Sequence, residues 1–313
     1  MKAIAGKFVP VMITPFDLKA RIDYDAVTEL LAFYLEAGVE GFFANCLSSE
    51  MFSITEEERL ELTRHVVQCV NGRVPVVATG SFGLTVEDKA LFTKKIYDTG
   101  ADAVIMISGH FAKVEEDDAI LLRNFEKLFA LTGTIPLGIY ECPAPYKRIL
   151  SADIFKQLVQ SSRLIYHKDT SITHENVKAK LEVLKTVSSS LEFYDAHTPN
   201  ALFSLQQGAA GMSSISGNFY PEVLVWMVKN ANNPGQQETV KWLQEELTDV
   251  DPMIHHAYPM SAKYFLGKRG LPVRTISRAY ALQLTPDQKK ELDLLYSRFL
   301  GWCQRLGIQP VKL

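Results

Sequence analysis

Eight short apolar runs, each followed by an amphipathic segment, predict an α/β chain of eight parallel strands ringed by helices, the (β/α)8 TIM barrel. Two further observations complete that expectation. The strand signals stop after about Tyr220 while helical periodicity continues, so a C-terminal all-helical extension is predicted. The first strand leads into Thr14-Pro15-Phe16-Asp17 with neither GxGxxG nor a P-loop. That absence disfavours the alternative, a doubly wound nucleotide-binding sheet.

Residues 8–13 form the first candidate strand. Residues 24–37 carry Val27, Leu30, Leu31, Tyr34 and Leu35 at helical spacing and end at Gly38. Residues 41–45 give the second strand, and Thr55 with Glu58 three residues on reads as a capping box opening a helix to about Val70. The alternation runs on through strand 74–79, helix 86–99, strand 103–107, helix 117–131 and strand 135–140. Helix 152–160, strand 164–167, helix 173–187, strand 191–194, helix 199–206 and strand 211–214 complete it. Beyond these, residues 223–230, 236–249, 252–266 and 286–305 are expected to be helical. The chain therefore divides into a barrel over residues 1–220 and a helical domain over 221–313, docked without a flexible linker.

Of 313 residues, 47% are hydrophobic and 22% charged, which suits a globular core that needs no disulfide or metal staple. A net charge of −3 without any basic block argues against nucleic acid as a partner. Cys46, Cys69, Cys142 and Cys303 lie far apart with no CxxC or Cys/His ligand spacing, so a reduced, cytoplasmic setting is expected. The first residues have no signal-peptide character and no apolar run approaches the length of a membrane span, so no membrane association is expected.

Chemistry in such barrels sits at the C-terminal strand ends. Lys168 closes the apolar run Leu164-Ile165-Tyr166-His167 and precedes the polar turn Asp169-Thr170-Ser171. A lysine desolvated in an apolar wall favours the neutral amine, which attacks a carbonyl carbon to form a Schiff base. Taken alone, it also reads as a strand-end lysine reaching to solvent. Tyr140 ends the preceding strand, and neighbouring strands lie ~5 Å apart, so one bound molecule reaches both side chains. A phenol there shuttles protons during imine chemistry; its plainer reading is a rim aromatic with a locally satisfied hydroxyl.

Seven landmarks follow one another in a recognisable order: Ile13-Thr14-Pro15-Phe16-Asp17; Ser49-Glu50 with Thr55-Glu56-Glu57-Glu58-Arg59; Val74-Pro75-Val76-Val77-Ala78-Thr79-Gly80-Ser81; Gly100-Ala101-Asp102-Ala103-Val104; Tyr140-Glu141-Cys142-Pro143; His167-Lys168-Asp169; and Gly208-Ala209-Ala210-Gly211-Met212-Ser213-Ser214-Ile215-Ser216-Gly217-Asn218. Through them, residues 6 to 295 resemble the dihydrodipicolinate synthase/N-acetylneuraminate lyase family of class I aldolases. The resemblance implies a barrel with a C-terminal helical domain, a homotetramer or homodimer, and no metal or organic cofactor. It implies a covalent imine between Lys168 and pyruvate or a related 2-oxo acid, with Tyr140 handling protons.

Departures from the family pattern qualify the substrate. The family's Gly-Thr-Thr-Gly-Glu loop is Cys46-Leu47-Ser48-Ser49-Glu50 here, so Leu47 lacks a hydroxyl that Ser48 retains. Phe111, in Ser108-Gly109-His110-Phe111, stands where the synthase branch has a tyrosine that reaches a neighbouring subunit. Pro145 stands where that branch has its arginine, with Lys147 and Arg148 following, and Ala196-His197-Thr198-Pro199 lacks the acids of the sialic-acid branch. Neither named activity is expected. Glu141 replaces a common asparagine and, with His110, joins Ser48, Ser49 and Ser213 as an expected substrate-binding residue.

The expected function is a Schiff-base lyase for a 2-oxo acid and an aldehyde, by cleavage, condensation or dehydration. The alternative is a catalytically inactive oxo-acid-binding or regulatory protein on the same barrel, motivated by Leu47 and Phe111. The seven histidines show neither HxH nor HExxH, which disfavours a metal-dependent aldolase.

Overall fold

The computed structural model describes residues 6–281 and 283–312. Eight short parallel strands make one sheet: β1 (Lys7–Phe8), β2 (Phe42–Phe43), β3 (Val76–Thr79), β4 (Ala103–Ile107), β5 (Leu137–Tyr140), β6 (Leu164–Asp169), β7 (Glu192–Asp195) and β8 (Gly211–Met212). Their order is β1-β8-β7-β6-β5-β4-β3-β2. A parallel bridge from Val11 to Phe43 joins the two edges, where the Phe43 N–H donates to Pro10 and the Met12 N–H to Phe43. The sheet is thereby closed into the expected barrel. The first strand is shorter than its apolar run predicts because Pro10 has no N–H to continue the ladder.

Strand parity sorts the side chains. Val11, Phe43, Val77, Ile105, Ile107, Tyr140, Tyr166 and Tyr194 fill the barrel interior, while Val104, Met106, Ile139 and Phe193 pack outward against helices. Gly138 lies on the interior face because a Cβ there would sit 2.8 Å from that of Tyr166 and 2.6 Å from Ile105. Absence of that one methyl group lets the Tyr166 ring lie across the barrel, stacked on Tyr194 at 4.7 Å.

The surrounding helices are α1 (Tyr24–Glu36), α2 (Glu56–Val70), α3 (Val86–Tyr97), α4 (Asp118–Thr132), α5 (Ala152–Gln160), α6 (His174–Thr186), α7 (Ala201–Gln207) and α8 (Pro221–Asn230). Side-chain caps start most of them, including the Thr55–Glu58 box of α2. Helix α8, which sequence patterning groups with the extension, packs on β1 and completes the ring of eight. Three more helices follow: α9 (Gln237–His255), α10 (Met260–Lys268) and α11 (Pro286–Leu306).

The segments expected as helices 236–249 and 252–266 are divided elsewhere. Helix α9 runs through Pro252, and the chain turns at Ala257, whose φ of 47° is left-handed. Pro252, in the last turn of α9, removes the N–H that would reach the Thr248 carbonyl, and the helix ends at His255. The turn at Ala257 delivers Tyr258 to the mouth of the barrel.

Candidate active site

Tyr140 and Lys168 are direct Cα partners on β5 and β6 and share the inward parity. The Lys168 Nζ lies 4.7 Å from the Tyr140 ring centroid and 5.6 Å from that of Phe43. Lys168 is 3% exposed, and among the described residues no carboxylate pairs with it. Burial brings its pKa down to about 8, against an opposing pull from the thiols of Cys46 and Cys142. Burial also pushes the Tyr140 phenol well above its ordinary range and the Cys142 thiol up to about 11. The site thus holds a weakly basic amine beside a phenol that keeps its proton.

Above them lies a cavity of about 280 Å³ between the barrel mouth and the turn that joins α9 to α10. Lys168, Tyr140, Leu47 and Ser48 line its barrel side. Lys147, Thr170, His197 and Thr198 line it as well, and Asp251, His255, Tyr258 and Tyr280 come to it from the C-terminal segment.

Of the residues expected to meet substrate, Lys168, Tyr140 and Ser48 come together in this cavity; Ser49, Ser213, Glu141 and His110 lie outside it. The Ser49 hydroxyl is committed to its own loop, 2.7 Å from the Met12 carbonyl and 2.8 Å from that of Ala44, and it accepts the Cys46 N–H. Ser213 is fully buried inside the barrel, where its hydroxyl accepts from Tyr166 at 3.2 Å. His110 packs between Phe52 and Phe82 with its ring nitrogen 2.6 Å from the Ser81 carbonyl. Phe111 is core within its own subunit, stacked on Phe125 at 4.2 Å.

Glu141 corrects the expectation most sharply. With Tyr140 pointing in, parity turns Glu141 out, and on β6 the same rule turns His167 and Asp169 out beside inward Lys168. Glu141 and Asp169 meet behind the sheet around Lys180 of α6, whose Nζ is 2.5 Å from one carboxylate and 2.6 Å from the other. All three are at most 1% exposed. Glu141, His167 and Asp169 have metal-ligand chemistry and spacing, yet the Lys180 ammonium partners both carboxylates. The cluster lies behind the strand ends that carry Tyr140 and Lys168, outside the cavity.

Among the cavity residues outside the barrel, Asp251, His255 and Tyr258 had no signal in the strand pattern. They arrive from α9 and the turn after it, where no motif marks them. Lys147 does face the cavity, whereas neighbouring Arg148 pairs with Asp118 and caps backbone carbonyls.

The loop carrying Leu47 and Ser48 is a 3-10 turn over Leu47–Ser49, ended by Glu50 in a left-handed conformation. The Glu50 carboxylate accepts from Lys263 Nζ at 2.7 Å, Ser277 Oγ at 2.9 Å, and the Arg278 and Ala279 N–H groups at 2.7 and 3.0 Å. Lys263 is fully buried, and its burial lowers its pKa against the pull of Glu50. We therefore expect Glu50→Ala to lower the unfolding free energy by about 3–5 kcal/mol, because it strands a buried cation. A shift below about 1 kcal/mol in urea titrations would show that the loop does not depend on this tie.

The chain is similar to known proteins along nearly its whole length. A profile of the Dihydrodipicolinate synthetase family matches residues 5–298. A 4-hydroxy-tetrahydrodipicolinate synthase of Oceanobacillus iheyensis is 26% identical over 294 residues, 94% of this chain and 97% of its own. The corresponding synthase of Bacillus subtilis is 25% identical, over 92% and 97%. Among solved structures, a prophage protein of the dihydrodipicolinic acid synthase family from E. coli K12, in complex with pyruvate, superposes with a TM-score of 0.84 at 24% identity, covering 95% of this chain and 99% of its own. A monomeric dihydrodipicolinate synthase variant superposes with a TM-score of 0.86 at 15% identity, covering 96% and 98%.

Proposed function

Because the chain belongs to the dihydrodipicolinate synthetase family, we propose that it is a metal-independent, Schiff-base-forming lyase acting on pyruvate or a related 2-oxo acid. One observation carries the reading: Lys168 is a buried amine without a carboxylate partner among the described residues, opening into a cavity it shares with Tyr140. The two lysines buried more deeply than it, Lys180 and Lys263, each pair with an acid.

In this reading the Lys168 Nζ attacks the ketone carbon. The Tyr140 phenol gives its proton to the departing hydroxyl, which leaves as water and generates the iminium. The resulting phenolate takes the proton from the hydroxyl on the carbon beyond the one adjacent to the imine. The bond between those two carbons breaks, an aldehyde departs, and its electron pair forms the enamine. Protonation of the enamine and hydrolysis release pyruvate and restore the amine. Condensation is the reverse; in dehydration the carbon adjacent to the imine loses a proton to form the enamine, whose electron pair then expels the hydroxyl of the next carbon as water, the Tyr140 phenol supplying the proton.

The test is intact-mass measurement after borohydride treatment with pyruvate, followed by peptide mapping. A mass gain of one reduced pyruvate on Lys168 is expected. An adduct only with longer 2-oxo acids would shift the substrate assignment toward those acids. Pyruvate bound without any reducible adduct would favour the binding-protein alternative.

The depressed amine also has a pH signature. Only the deprotonated form is nucleophilic, so reactivity rises with pH and levels above the pKa. With a value of about 8, roughly a tenth of Lys168 is neutral at pH 7, against about one part in three thousand for an ordinary lysine. Competitive labelling with trace acetic anhydride should give Lys168 a midpoint near pH 8. A midpoint above pH 10 would remove the activated amine from the mechanism.

A further inference from the structure

Leu47 lines the cavity without a hydroxyl, but a hydroxyl reaches the same wall from outside the barrel. Tyr258, from the turn after α9, lines the cavity together with Ser48, whose hydroxyl neighbours its phenol. What that phenol can offer follows from Asn218. Its Nδ2 donates to the Val11 carbonyl at 2.9 Å, which can only accept, and this fixes the orientation of the amide. The same Nδ2 donates its other proton to the Tyr258 oxygen at 2.8 Å, and Oδ1 accepts from Tyr34. The Tyr258 oxygen is therefore an acceptor from Asn218, and its single proton is left for Ser48 or for a molecule in the cavity.

The Tyr258 proton and the Ser48 hydroxyl are thus both available to a molecule in the cavity. A wall with two neutral hydroxyls free to donate into a cavity favours an acceptor, and an anionic one most strongly. It faces the same space as Lys168, which becomes cationic once it forms an iminium.

We propose that Tyr258 and Ser48 together receive the carboxylate of the 2-oxo acid, so that a phenol from the C-terminal segment supplies the hydroxyl Leu47 lacks. This assignment rests on the imine reading above and extends it. The oxo-acid site is then completed by the α9–α10 turn, and substrate binding and docking of the helical segment are coupled. The phenol binds and orients; no proton transfer is assigned to it.

Trapping with cyanoborohydride distinguishes the possibilities when pyruvate is compared with its methyl ester, which presents the same ketone without the charge. In the unmodified protein pyruvate should half-saturate trapping at a much lower concentration than methyl pyruvate. In Tyr258→Phe the pyruvate value should rise about 10-fold to 100-fold, the worth of one hydrogen bond to a charged group, while methyl pyruvate changes little. Leu47→Thr in the Tyr258→Phe background should recover part of the loss. Equal losses for acid and ester would make Tyr258 only structural and overturn the proposal, as would an unchanged pyruvate value. Unmodified protein that traps neither compound overturns the imine reading itself, which is a separate failure.

Discussion

Lys168→Ala is expected to abolish the borohydride-reducible adduct and to lower turnover by roughly 10⁴-fold or more, since the other amine lining the cavity, Lys147, is exposed and not buried at a strand end. Its effect on stability should run the opposite way from that of an ordinary core truncation. Burial favours the neutral amine, so the folded state binds its proton less tightly than the unfolded state does. Protonation therefore opposes folding below about pH 8, and the opposition fades as pH rises from about 8 towards 10, the ordinary lysine range. Lys168→Met, which keeps the stem and drops the charge, should be as stable as the parent protein or more so at pH 7. That margin should shrink above pH 8. A folded Lys168→Ala protein that retains substantial turnover would end the Schiff-base assignment. A Lys168→Met protein much less stable at pH 7 would mean that the amine is satisfied by a partner.

The barrel was legible because its signal is redundant. Eight apolar runs, several caps and helices of ordinary length agree, and no single misread boundary changes the topology. The two strongest site residues were legible for a related reason: a lysine and a tyrosine ending consecutive strands must share the barrel mouth. The same alternation already contained the correction to Glu141, because inward Tyr140 requires its successor to face outward. Weighing Glu141 by residue type instead of parity is what suggested a substrate role.

Ser49 was a different matter. Its sequence position is right, but a tight turn uses its hydroxyl to hold the Met12 and Ala44 carbonyls, and that competition arises only once the loop is folded. Tyr258 was out of reach for a topological reason. It lies 90 residues beyond Lys168 in a turn without period or motif, and its arrival depends on where α9 stops. Side chains carried by strand ends are predictable from register; those contributed by packed helices depend on tertiary docking.

Removing Lys180 should produce a large loss of stability. Lys180 is 1% exposed and holds two carboxylates that are fully buried. Glu141 also accepts the Leu150 N–H at 2.9 Å and the Thr170 N–H at 3.3 Å, and Asp169 takes the Ser171 N–H and hydroxyl at 2.8 and 2.6 Å. Burial disfavours the Lys180 ammonium, yet the two carboxylates outweigh that penalty and hold its pKa above the ordinary lysine value. Burial works against Asp169 too, but His167 and Lys180 hold it well below the usual carboxylate range. Lys180→Met keeps most of the volume while leaving two buried anions facing each other with no cation between them. The expected cost at pH 7 is about 3–5 kcal/mol, the range for breaking a buried ion pair from one side. The pH dependence gives the cause away. Without Lys180 at least one carboxyl must bind a proton more tightly folded than unfolded, so acidification towards pH 5 should restore part of the lost stability. Urea unfolding of parent and variant at pH 8 and pH 5 measures both effects. A gap that stays constant between the two pH values would mean that lost packing, not stranded charge, sets the cost. Because the immediate neighbours of the stranded groups are Tyr140 and Lys168, the same variant should also trap pyruvate more weakly at pH 8 than at pH 5 relative to its parent. In that way a network that never touches substrate would still govern how well the strand ends present the amine and the phenol.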